Sequence, residues 1–354
     1  MKTLRALLVI ATLVATTSAQ TPHLIPFNYE GKWGFTAPDK ELVIAHKYDE
    51  AKPFNEGLAA VRVGDLWGYI NEADSMVVEP SFDEVENFYE GVAIVRRYHQ
   101  NAYLSNKGEL LTPFEFDFAQ RFIEGRGRVE KKSLVGFVDD KGEMVVPAMY
   151  EDAGDFHEGL AGVRHNGLCG FIDRDGNPVI PFEYEDFGHF SSGLAPVKQN
   201  ERWGYLSDEG FLAIEFQFED ASPFSQGVAA VMKDGMWGFV NRAGEMVIDF
   251  QFLEVGSFNG GLAPAMSVET FEWGYINGYA EFVVEPEYEF AYPFQDERGL
   301  VKDGKEFGFL KPTGEMIFDN DFKHAEGFYR GLAYVNYDGL WGYLGKDGTL
   351  YIEE

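Results

Sequence analysis

The chain repeats itself about every 34 residues, and that period limits its fold more than any other feature. Residues 57–70 read Gly-Leu-Ala-Ala-Val-Arg-Val-Gly-Asp-Leu-Trp-Gly-Tyr-Ile, and residues 227–240 and 331–344 repeat the block with drift. The motif position falls at Trp33, Trp67, Asn101, Val135, Cys169, Trp203, Trp237, Trp273, Phe307 and Trp341, so every tryptophan of the chain occupies it. The spacing is 34 residues throughout, except for 36 between Trp237 and Trp273, which gives ten units. Glycine follows the motif position in every unit but one, where Ala102 stands instead. The next position is always aromatic, from Phe35 and Tyr69 to Tyr343. An unbroken period argues for one continuous array rather than several ordinary domains.

Two more aromatic ladders keep the same register. One runs from Tyr48 and Phe82 to Phe322; the other is entirely phenylalanine, from Phe54 and Phe88 to Phe328. Most members of the second are followed three residues later by glycine, as in Phe54-x-x-Gly57. Aromatics are 16% of the chain, enough to build a core without long aliphatic helices.

Each unit reads as three short antiparallel strands. The Leu-Ala-x-Val strand ends in Asp234-Gly235, Asn166-Gly167 or Asp338-Gly339, which are two-residue hairpin signals. The second strand carries the motif residue and the aromatic two places on, both on one face. The glycine between them marks the close approach of a neighbour, expected to be an aromatic ring. The third strand is short, with Pro147, Pro181 and Pro286 suggesting an edge or a strand end. The stretch from there to Phe-x-x-Gly reads as irregular. No segment shows sustained helical periodicity. The expected fold is therefore all-β: about ten 34-residue three-stranded antiparallel units in an open, curved, solenoid-like array. A propeller-like closed ring is the alternative, disfavoured because propellers usually have four to eight four-stranded blades.

The Trp-Gly-aromatic step, the Phe-x-x-Gly-Leu-Ala-x-Val step and the unit length together resemble the WG-repeat (KWG-repeat) family over roughly residues 24–354. The resemblance implies a bacterial repeat protein and carries no catalytic residues over to this chain.

The N-terminus follows another logic. Lys2 and Arg5, the apolar run 7–14 and the small residues Thr17-Ser18-Ala19 form a secretory signal pattern, with cleavage expected after Ala19. The array then spans 20–354, and the protein is expected to be exported, periplasmic or extracellular. The apolar run is too short to span a bilayer, and nothing downstream is longer. The single cysteine, Cys169, allows no intramolecular disulfide and reads as a small buried hydrophobe. A net charge of −30 speaks against nucleic acid or anionic lipid as partner.

Little here points to chemistry. Paired acids recur (Asp49-Glu50, Asp83-Glu84, Glu151-Asp152, Glu185-Asp186, Glu219-Asp220), and a group present in most units belongs to the unit's own structure. Short acids accept backbone N–H groups, and we expect that in the turn before Phe-x-x-Gly. The seven histidines have no metal-ligand spacing, and no nucleophile elbow or phosphate loop is present. No metal or cofactor is expected. One stretch stands apart: residues 96–132 hold eight basic and five acidic residues, +3 in an acidic chain. It contains Arg96, Arg97, Arg126, Arg128, Lys131 and Lys132, and coincides with the unit that lacks Trp-Gly. These six are the candidate binding residues; the plainer reading is a drifted repeat paired with neighbouring acids. The function expected is a non-enzymatic binding or scaffold module for a protein or cell-envelope polymer. An envelope glycan, or a hydrolytic site in one irregular unit, are the rival readings.

Overall fold

The computed structural model describes residues 24–352, which contain strands and turns and no helix. The expected leader 1–19 lies outside them. We number the units 1–10 by their motif residues, Trp33 to Trp341. In unit 7 the strands are Asp220–Ala221, Val228–Lys233, Met236–Asn241 and Met246–Phe252, hydrogen-bonded in that order in one antiparallel sheet. Units 2, 4, 5 and 6 have the same four strands, and units 1, 3 and 8 have three. In units 9 and 10 the sheets join, because Met316–Ala325 serves as the last strand of one and the first of the next. The first, two-residue strand lies in the stretch the sequence left irregular. We call it the inner strand, and the residues from it to the Phe-x-x-Gly turn the inner segment.

That segment ends in a tight hairpin. Asn55 and Leu58 pair with each other around Glu56 and Gly57, whose φ angles are +52° and +80°. Two positive angles in succession are what a type I′ turn demands, and they explain the recurrent glycine. The last strand runs straight through its proline, as in Met144–Tyr150 across Pro147. It is the outer strand of its sheet, where a missing N–H is harmless.

The Trp-Gly glycine does face a close neighbour, but that neighbour is backbone and not the expected ring. The register between motif and outer strand shifts at this point, so Trp237 pairs with Phe252 while Phe239 pairs with Ile248. The bulge pushes the outer strand onto the glycine: a Cβ on Gly238 would lie 2.6 Å from the Ile248 carbonyl oxygen. The exception confirms the cause. Unit 3, the one with alanine there, has no outer strand, only bridges from Asn101 to Phe116 and Leu104 to Leu110.

The core lies between units. The aromatic two after the motif residue meets the ladder phenylalanine of the next unit edge to face: Tyr205 with Phe224 at 5.0 Å, Phe239 with Phe258 at 4.9 Å. Phe224, Phe258 and their counterparts are buried. The Trp ladder is less completely so, since Trp203 and Trp237 are half-buried and Trp341 is 41% exposed.

The two ends of the array meet. Leu24, Ile25 and Trp33 of unit 1 share one core cluster with Leu332, Tyr343 and Tyr351 of unit 10, and the Tyr351 hydroxyl donates to the Pro38 carbonyl at 3.0 Å. Contact between first and last units belongs to the propeller-like ring and not to the open array that the strand count favoured. The inner strand supplies the fourth blade strand that the sequence reading lacked.

A candidate docking cleft at the seam of the ring

Three kinds of bond recur between successive units, in different combinations at different junctions. The motif tyrosine donates its hydroxyl to the carbonyl two residues before the next ladder phenylalanine: Tyr69 to Glu86 (2.6 Å), Tyr103 to Gln120 (2.6 Å), Tyr205 to Ser222 (2.8 Å), Tyr275 to Tyr292 (2.7 Å). The polar residue after each of several ladder phenylalanines donates to the next phenylalanine's carbonyl, as Asn55 to Phe88, Ser191 to Phe224 and Ser225 to Phe258. The acid two after the phenylalanine accepts N–H groups of the next hairpin. Glu90 takes those of Glu124 and Gly125, Glu124 those of Glu158 and Gly159, and Glu158 those of Ser192 and Gly193.

The seam between units 10 and 1 departs from this pattern. The inner segment of unit 1 would be residues 15–23 by the period, which lie outside the described residues. A cleft of about 420 Å³ sits between the inner segments of units 10 and 2, the place such a segment takes elsewhere. Trp33, Tyr334 and Tyr343 form one wall, Pro53 to Asn55 another, and Glu326 to Arg330 a third. Among the described residues no carbonyl accepts from the Tyr343 hydroxyl, and its ring has Trp33 at 6.2 Å and Tyr334 at 5.2 Å in place of a ladder phenylalanine. Phe54, alone in its ladder, is only half-buried. Asn55 is 3% exposed, and its Oδ1 has no hydrogen-bond partner among the described residues. Arg330 stands where other units carry the accepting acid; it lies over the Tyr329 ring at 5.6 Å, with no carboxylate partner among the described residues.

Electrostatics follow from burial. Tyr343 is pushed well above its ordinary pKa, and Tyr334 up to about 12, in both cases chiefly by desolvation. Lys52, on the cleft floor, is held below the usual lysine range by desolvation; it donates to the Val85 carbonyl at 2.7 Å. Tyr334 and Tyr343 are therefore neutral hydrogen-bonding groups at physiological pH.

The six basic residues read from the sequence are spread over several strands and turns. Arg96 pairs with Glu84 at 2.9 Å, Arg128 with Asp155 at 2.9 Å and Lys131 with Glu115 at 2.7 Å. Arg126 donates to the Arg174 carbonyl, Arg97 lies over the Tyr98 ring, and the Lys132 backbone N–H goes to Asp117. Arg96 lines a smaller cleft of about 290 Å³ that includes Asn101, where six other units carry a tryptophan.

The recurring acid pairs are structural, as expected, but they latch a different turn. The first acid of each pair accepts from the hairpin between the second and motif strands: Asp49 from Gly64, Glu151 from Gly167, Glu219 from Gly235. The inner strand pairs with the second strand just before that hairpin, Glu50 opposite Arg62, which brings the acid to it. Cys169 is buried, and desolvation pushes its thiol up to about 11. Among the described residues no group of three or more His, Cys, Asp or Glu is placed to hold a metal ion, and no helix is long and apolar enough to cross a membrane.

The model of a family described as WG containing repeat matches residues 33–67, 67–97, 103–134, 136–169, 170–203, 203–237, 237–266, 273–306 and 307–341. No curated protein matches the chain. Among solved structures, a crystal structure titled the eukaryotic initiation factor is similar with TM-score 0.58 at 11% identity, over 84% of this chain and 95% of that one. Kluyveromyces lactis Hsv2p is similar with TM-score 0.40 at 9% identity, over 64% and 92%. At such identity the first of these likenesses shows the fold alone.

Proposed function

This chain belongs to the WG-repeat family, and on that premise we propose that it is an exported, non-enzymatic binding module whose docking site is the cleft at the seam. One observation carries the reading: among the described residues, the aromatic contact that joins successive units is not continued at the seam. Elsewhere the inner segment meets an aromatic edge of the preceding unit, with a tyrosine hydroxyl at some junctions and a carboxylate at others. At the seam the equivalent groups — Tyr343, Phe54, the Asn55 Oδ1 and Arg330 — line a hollow. Spare aromatic surface beside unsatisfied polar groups is the usual make-up of a recognition site. We place binding there rather than on the basic stretch, because Arg96, Arg128 and Lys131 already have carboxylate partners. Export rests on the leader pattern of residues 1–19, and a strongly acidic surface suits a protein that must stay soluble outside the cytoplasm.

The test is a photo-crosslinking residue in place of Tyr329, with the same residue in place of Phe211, exposed outside the cleft, as control. The protein is exported from a bacterial host and irradiated in its envelope. Discrete adducts at position 329 and none at 211 are expected. Equal labelling at both, or none at either, contradicts the seam as docking site.

A further inference from the structure

We infer that the cleft between the outer strands of units 7 and 8 is a second docking surface, and that its occupant is an extended basic segment of a partner protein, with lysine or arginine alternating with apolar residues. The inference is independent of the seam, which lies three junctions along the array. It starts from charge. Residues 243–297 hold eleven Asp and Glu and not one Lys, Arg or His, the opposite extreme to the basic stretch 96–132. The same stretch carries the one break in the 34-residue period. In unit 7 the pair Met232 and Trp237 encloses a four-residue hairpin end; in unit 8 the pair Met266 and Trp273 encloses six residues, Ser267 to Glu272.

That longer loop is held in shape. Ser267 is buried, its hydroxyl accepts the Glu269 N–H at 3.1 Å and its carbonyl accepts the Phe271 N–H at 3.0 Å. The Thr270 hydroxyl donates to the Pro286 carbonyl at 3.4 Å. Phe271 is kept at φ +61°, a costly conformation for a bulky residue, and its ring is 68% exposed, with Val268 41% exposed. Beside the loop lies a cleft of about 540 Å³, larger than the one at the seam. Val268, Phe282 and Pro286 give it an apolar lining, and Glu269, Glu285 and Glu287 a charged one. These three acids are exposed and have no ion pair among the described residues.

The arrangement selects among cations. No three acids converge to hold a metal ion among the described residues, so the charge suits a cation spread along a chain. Glu285 and Glu287 stand two apart on one strand and share a face, about 7 Å from each other, the spacing of alternate residues in an extended peptide. Basic side chains at that spacing meet both carboxylates, and the apolar ones between them have Phe282, Val268 and Phe271 to cover. A second copy of this chain is a poor occupant, since it brings a net charge of −30.

The probe is a labelled, capped peptide, Lys-Phe-Arg-Leu-Lys-Val-Arg, titrated into the secreted protein. Saturable binding is expected, weakening as salt rises from about 50 to about 300 mM. Replacing Glu269, Glu285 and Glu287 together with Gln should weaken it about thirtyfold, and Val268→Ser with Phe271→Ser about fivefold. The control variant carries Glu183→Gln, Glu209→Gln and Glu215→Gln, exposed acids of units 5 and 6 that remove the same charge elsewhere. It should bind as wild type does. Neither triple variant should melt earlier, which separates loss of contact from misfolding. Equal weakening in both triple variants means attraction to net charge alone and overturns the inference. So does equal affinity for Lys-Ser-Arg-Ser-Lys-Ser-Arg, because the apolar lining then plays no part. Absence of binding at low salt overturns it too, as does self-association of the protein that the Glu269, Glu285 and Glu287 variant abolishes, since the occupant is then a second copy.

Discussion

At the junction of units 6 and 7, Tyr205 packs edge to face on Phe224 at 5.0 Å and donates its hydroxyl to Ser222 at 2.8 Å. At the seam, Tyr343 occupies the same place in unit 10 and has neither contact among the described residues, while Trp33 stands off at 6.2 Å. One sequence motif thus serves two purposes. Where a described inner segment covers it, it is core; at the seam the same side chains line a cleft among the described residues. Identical chemistry becomes structure or site according to what the topology brings against it.

The ladder phenylalanines should separate the two regions most. Phe224→Ala removes a buried ring and should cost about 3–5 kcal/mol in urea melts. Phe54→Ala, at the seam, should cost less than half as much; equal costs would erase the distinction. The glycine ladder comes next. Gly238→Ala sets a methyl against the Ile248 carbonyl and should cost about 1–3 kcal/mol, as overpacking does. Ala102→Gly, in the unit without an outer strand, should cost only about 0.5–1 kcal/mol through added chain entropy. The hydroxyls give a finer cut: Tyr205→Phe leaves the Ser222 carbonyl without its donor and should cost about 1–3 kcal/mol, whereas Tyr343→Phe should be near neutral. The smallest effect is on pH. The Lys32 ammonium and the Gly64 N–H hold Asp49 below the usual carboxylate range, and the Gly235 N–H and Arg202 do so for Glu219. A lowered folded pKa stabilises above the unfolded value of about 4 and is lost as pH falls through the folded one. Replacing both acids with Ala should flatten the pH dependence of stability below about pH 4, read by melts at stepped pH.

The period, the aromatic ladders and the hairpin turns were legible in the sequence because each rests on local rules: alternation along a strand and positive φ at Asp-Gly. The inner strand was missed because two residues such as Asp220–Ala221 carry no alternation to detect. Ring closure stood only as the alternative because no local rule fixes the curvature of a sheet stack. Strand counting also undercounted units 2, 4, 5, 6 and 7 by that inner strand. The seam could have been suspected from one signal, the absence of a phenylalanine 34 residues before Phe54, where Gln20 stands. The basic stretch drew notice through its charge and its overlap with the unit lacking Trp-Gly, and neither reveals that Glu84, Asp155 and Glu115 lie opposite.

The central claim is that the array closes on itself with units 10 and 1 in contact. Spin labels on Asp39 and Asp347, in a Cys169→Ala background, measure the distance between the ends directly by double electron–electron resonance. A single narrow distribution at the short end of the measurable range is expected, since Tyr351 of unit 10 reaches Pro38 of unit 1. A broad distribution centred near the length of ten stacked units would mean an open array, and the seam cleft would then not exist.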